Sequence, residues 1–121
     1  MQISVQDGLQ RLNDTGKRFL ELFHHGTLVL EIYQPVGADL QTPHDRDEVY
    51  IVINGTGEFK SGDTVSTFQQ GDFLFVSAGM EHRFLSFSED FLTWVIFYGP
   101  KGGENNIESL KNNKHEIRIS T

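Results

Sequence analysis

The chain has 121 residues, enough for one domain built around one core and too few for a second domain of ordinary size. At 37% hydrophobic, with ten phenylalanines, its composition is that of a globular protein rather than a disordered one. The net charge of −7 without any Lys/Arg stripe argues against nucleic acid and anionic membrane surfaces, and the absence of cysteine excludes disulfides, thiolate zinc sites, iron–sulfur clusters and cysteine nucleophiles.

The first seven residues have neither the basic region nor the apolar core of a secretion signal, and no apolar run reaches membrane-spanning length. A cytoplasmic protein is expected. In residues 1–18, Val5, Leu9 and Leu12 fit a helical spacing. Gly8 and the run Asn13, Asp14, Thr15, Gly16 interrupt it within two turns, which predicts a short helix or an irregular arm. Residues 19–23 read as a strand closed by a turn at His24 and His25, two histidines expected to be exposed and inert. Residues 28–33 alternate, with Leu28, Leu30 and Ile32 on one face and Val29, Glu31 and Tyr33 on the other. Pro35 and Gly37 end that strand, and a polar loop runs to Pro43.

Residues 48–54 are rich in β-branched and aromatic side chains and stop at Gly55. Residues 58–60 and 64–68 flank Ser61, Gly62 and Asp63, a hairpin signal. Further strands are expected at 73–76, 82–87 and 91–98. Short strands separated by turns at this spacing predict a barrel or sandwich. The polar tail from 101 to 121 has one possible helical turn at Ile107 and Leu110, an edge-strand alternation at Ile117 and Ile119, and an uninvolved His115. The expected organisation is an N-terminal arm over 1–18, a barrel over 19–100 and a tail over 101–121. Residues 50–53 and 73–76 are apolar on both faces and need a cover outside the barrel, which predicts a terminal arm or a second copy, hence a homodimer.

Without cysteine, any metal must be held by imidazole and carboxylate. His44 and Glu48 are four residues apart, so on an extended chain they share a face but stand about 13 Å from each other, too far for one ion. A bend at Asp45, Arg46 and Asp47 would bring them together. His82 begins a different strand that barrel closure can place alongside. Asp47 faces the other way on a regular strand and replaces Glu48 only if a bulge shifts the register. Asp45, Arg46 and Asp47 themselves read as a solvated corner.

The spacing of these residues resembles the two motifs of the cupin family, over roughly residues 28–98. Gly37, six residues, His44, three residues, Glu48, six residues and Gly55 match the first motif, and the stretch from Gly71 through Gly79 to His82 matches the second. Thr42 stands where the family has its first histidine, Ser77 where it has proline and Ser86 where it has asparagine. The resemblance implies an all-β double-stranded β-helix, a jelly-roll barrel, of a small single-domain cupin. It also implies a divalent metal held by His44, Glu48 and His82. Two imidazoles and a carboxylate with open positions suit Fe(II), and equally Zn, Mn or Ni.

Strand alternation places Tyr50 and Val52 on the face of Glu48, and Phe84 and Ser86 on that of His82. With Thr42 these form the expected wall of a pocket for a small organic molecule, to which Glu31, Tyr33 or Gln41 adds a polar contact. Two functions follow. One is a metal-dependent enzyme, dioxygenase-like or an isomerase or lyase. The other is a module that binds or senses a small molecule, with or without metal.

Overall fold

Ser4 starts the first element. Its hydroxyl accepts the Asp7 N–H at 3.0 Å and caps helix α1 (Val5–Thr15), which Gly16 closes at φ 70°. The computed structural model describes residues 1–104. The helix runs straight through Gly8, which is buried, and through Asn13 and Asp14. Gly8 is not a breaker here: a Cβ on it would lie 3.1 Å from Leu22 Cδ1 and 3.3 Å from Ile32 Cδ1, so the missing side chain lets the helix sit down on the sheet.

Eight strands follow among the described residues: β1 (Phe19–His25), β2 (Leu28–Tyr33), β3 (Asp47–Asn54), β4 (Gly57–Ser61), β5 (Thr64–Phe68), β6 (Phe73–Val76), β7 (His82–Phe87) and β8 (Leu92–Tyr98). All pairings are antiparallel. One sheet has the order β1-β2-β8-β3-β6, the other β5-β4-β7. Tyr33, Tyr50, Val52, Val76, Val95 and Phe97 from the larger sheet meet Phe59, Phe68 and Phe84 from the smaller in one core, making the jelly-roll barrel.

Because side chains alternate along a strand, the opposite face of the larger sheet is apolar too. Leu22, Ile32 and Leu92 there are buried against Leu12 of α1, with Ile53 and Trp94 packed at the margin. The terminal arm thus covers part of the outer face. Ile51, Phe73 and Phe75, on β3 and the edge strand β6, stay 37%, 63% and 40% exposed. No helix of the described residues is long and apolar enough to cross a membrane. The expectations for Ile107, Leu110, His115, Ile117 and Ile119 lie outside the described residues.

Candidate metal centre

Glu48, Tyr50 and Val52 alternate onto the inner face of β3 and are 1%, 0% and 2% exposed. Glu48 is flanked across the ladder by Phe97 on β8 and Val76 on β6, so its carboxylate sits in the barrel interior. His82 opens β7 in the opposing sheet. Its Nδ1–H donates to the Met80 carbonyl at 2.9 Å, which turns Nε2 towards the barrel interior.

His44 precedes β3, and the bend that brings it to Glu48 has identifiable holds. Gly79 N donates to the His44 carbonyl at 2.7 Å, Gly102 N to the Asp45 carbonyl at 2.6 Å, and the Arg46 guanidinium to the Thr27 carbonyl at 2.8 Å. The His44 ring rests on the edge of Phe97, with centroids 4.9 Å apart.

The three side chains converge. His82 Nε2 is 3.1 Å from Glu48 Oε1, His44 Nε2 is 4.0 Å from Glu48 Oε2, and one ligand atom from each residue lies within 4.8 Å of the others. Despite this closeness, Glu48 Oε1, Glu48 Oε2 and His82 Nε2 are buried with no further hydrogen-bond partner among the described residues. Burial works to lower the His82 pKa, but the Glu48 carboxylate and the Met80 carbonyl outweigh it, and the net shift is upward. Tyr50 is raised well above its usual range, first by burial and then by the Glu48 charge. Orphaned carboxylate and imidazole atoms facing one point, from a donor set of two nitrogens and a carboxylate, fit a divalent cation.

Asp47 is not the carboxylate of this cluster. It is buried rather than solvated, because Oδ1 accepts Ala78 N and Oδ2 accepts Glu104 N, both at 2.9 Å. It clamps the turn before β7 and the chain after β8 to the start of β3. His24 and His25 are exposed on β1, His24 pairing with Glu21 at 3.0 Å.

Asp39, which nothing in the local sequence singles out, proves to be a third buried carboxylate beside Glu48 and Asp47. Oδ1 accepts Tyr33 OH at 2.6 Å and Gln41 N at 3.2 Å. Oδ2 accepts Gln41 Nε2 at 3.1 Å and Phe84 N at 2.8 Å. This ties the β2–β3 loop to β7, so the loop that carries Gln41, Thr42 and His44 is held across the barrel mouth. Gln41 Oε1 in turn accepts Tyr50 OH at 2.9 Å and lies 3.5 Å from His44 Nε2.

A pocket of about 290 Å³ opens beside His44, lined by the apolar Phe19, Leu40, Val95 and Phe97 and by the polar Glu31, Tyr33, Gln41 and Thr42. Thr42 lines the pocket, and Tyr50 reaches it through Gln41. Val52 and Phe84 lie deeper; Phe84 is 1% exposed and stacks among Tyr50, Phe59, Phe68 and Phe91, so both are core. Ser86 is outside. The β4–β7 register slips between Glu58 and Phe59, pairing Glu58 with Ser86 but Phe59 with Phe84. That bulge reverses the alternation, so Phe87 packs against the core and Ser86 faces solvent beside Glu58. Glu31 stands on the rim of the pocket with its carboxyl pushed up to about 7, by burial first and then by the charges of Glu48 and Glu21.

A family model for the cupin domain matches residues 29–98. An uncharacterised protein of Streptomyces coelicolor is 36% identical over 63 residues, which are 52% of this chain and 60% of that protein's length. Among solved structures, a protein of unknown function from Rhizobium leguminosarum aligns with TM-score 0.63 at 19% identity, over 83% of this chain and 97% of the other. The cupin domain of Cnp3 from Schizosaccharomyces pombe aligns with TM-score 0.60 at 14% identity, over 81% and 69%. At these identities the structural likeness speaks for the fold alone.

Proposed function

The chain belongs to the cupin domain family, and we propose that it holds a divalent metal ion at His44, Glu48 and His82 and acts on a small organic molecule bound in the adjoining pocket. The observation that carries this is Glu48. A carboxylate 1% exposed, whose oxygens face two imidazole nitrogens at 3.1 and 4.0 Å and no other partner among the described residues, is a buried charge that a cation would compensate. When bound, such an ion supplies Lewis-acid polarisation of a ligand oxygen or, if it is iron, a centre for oxygen chemistry, which is why a dioxygenase-like, isomerase or lyase activity is the reading.

The chain's own residues would do the rest. Phe19, Leu40, Val95 and Phe97 give the ligand apolar surface, while Glu31, Tyr33 and Thr42 offer the polar contacts that orient it. Glu31, titrating near neutrality, is placed to take up or release a proton at its carboxylate at the pocket rim. The test is a screen of metal-loaded protein for oxygen consumption and for turnover of small hydroxylated and carbonyl compounds, beside a His82→Ala variant. Turnover lost in the variant supports the reading. A tightly retained small molecule that is never converted would instead identify a binding module.

A further inference from the structure

We infer that the side-chain oxygen of Gln41 is a fourth protein ligand to the ion, taking the place that the substitution of Thr42 leaves open. The inference rests on the metal reading proposed above and concerns how the coordination sphere is completed.

The orientation of the Gln41 amide is dictated by its neighbours. Its two ends are an N–H donor and a carbonyl acceptor, and Asp39 Oδ2, an acceptor only, lies 3.1 Å from one end. That end must be the NH₂. The oxygen is therefore the atom turned towards His44 and Tyr50. Asp39 is itself fixed by Tyr33 OH and by Phe84 N, so the amide is locked from behind by groups of both sheets.

The distance from Gln41 Oε1 to His44 Nε2 is 3.5 Å. This is long for a hydrogen bond, whose usual N···O separation is about 2.9–3.0 Å. It is close to the separation of about 3.3–3.4 Å between adjacent donors that are each about 2.0–2.1 Å from a tetrahedral ion. The same His44 nitrogen faces Glu48 Oε2 at 4.0 Å. Gln41 Oε1 thus approaches the nitrogen that the ion would use, on the pocket side of the site. Thr42, one residue on, is exposed at the pocket rim. An amide oxygen is neutral, so with two neutral imidazoles and one carboxylate the loaded site keeps one net positive charge, as it would with a third imidazole.

The experiment is a titration of metal-free protein with Co²⁺, followed by visible absorption and by competition with a chromophoric chelator. Wild type is compared with Gln41→Ala and with Gln41→Met, which keeps the side chain's length and removes its oxygen. Thermal melts of the metal-free proteins are recorded alongside. We expect both variants to bind Co²⁺ about 10–100-fold more weakly, with altered ligand-field bands. The inference is overturned if either variant, folded, binds Co²⁺ with wild-type affinity and spectrum, including the case in which only its melting temperature falls. Wild type that takes up no Co²⁺ at all overturns the metal reading itself, and stoichiometry separates that result from the former.

Discussion

His82 Nε2 and Glu48 Oε1 stand 3.1 Å apart in the barrel interior, one from each sheet. A buried pair of this kind is strongly unfavourable to break from one side and close to neutral to replace as a whole, because a lone buried charge has nothing to compensate it. His82→Ala should therefore destabilise the metal-free protein by about 3 kcal/mol. The double variant Glu48→Leu/His82→Leu, similar in volume and apolar, should recover most of that loss. Urea unfolding of both after chelator treatment checks this; a double variant as unstable as the single one would contradict it.

Asp39 should be among the most sensitive positions outside the ligand cluster. Asp39→Ala leaves the buried Phe84 N–H and Tyr33 OH without their acceptor, at about 1–3 kcal/mol for each unsatisfied group. It also frees the loop that carries His44. The expected outcome is a fall in melting temperature together with weaker metal uptake, whereas Ser86→Ala, on the solvent side of the bulge, should change neither.

That contrast shows what was legible in the sequence. Strand positions followed from alternation and from turn glycines, and the residues His44, Glu48 and His82 from the resemblance to the two cupin motifs. Ser86 was misplaced because a bulge exchanges the two faces of a strand without leaving a mark in the residue pattern. Asp39 lies in a polar loop and looks solvated until the fold supplies Tyr33 and Phe84 around it. Gly8 looks like a helix breaker, since the contact that requires it, with Leu22 and Ile32, is tertiary. Asp47 looked like part of a solvated corner, since its two backbone partners, at Ala78 and Glu104, are far along the chain.

Glu31 gives the metal-free protein a specific pH dependence. Its folded pKa of about 7 lies above the ordinary carboxylate value of 4.5, because burial and the neighbouring carboxylates disfavour the charged form. The folded state then holds the proton more tightly than the unfolded state, so stability is full below the ordinary value and falls as pH rises through about 7. Glu31→Gln should exceed wild type by about 1–2 kcal/mol at about pH 8, allowing for solvent screening of a half-buried group, and match it in acid. Equilibrium unfolding of chelator-treated protein across this range measures the difference; a constant offset at all pH values would contradict it.

The outer strip of Ile51, Phe73 and Phe75 lies on β3 and the sheet-edge strand β6. An apolar strip on an edge strand is a liability for a lone chain. The homodimer expected from the sequence predicts that light scattering gives twice the chain mass, and that Phe73→Glu/Phe75→Glu gives a folded monomer. A wild-type monomer at all concentrations would remove that expectation.

His44, Glu48 and His82 are proposed to hold a metal. Elemental analysis of protein purified without chelator or a histidine tag, beside His44→Ala/His82→Ala, tests it most directly. The prediction is close to one divalent ion per chain in wild type and none in the variant. Wild-type protein that arrives metal-free and refuses added iron, manganese, nickel and zinc would contradict it.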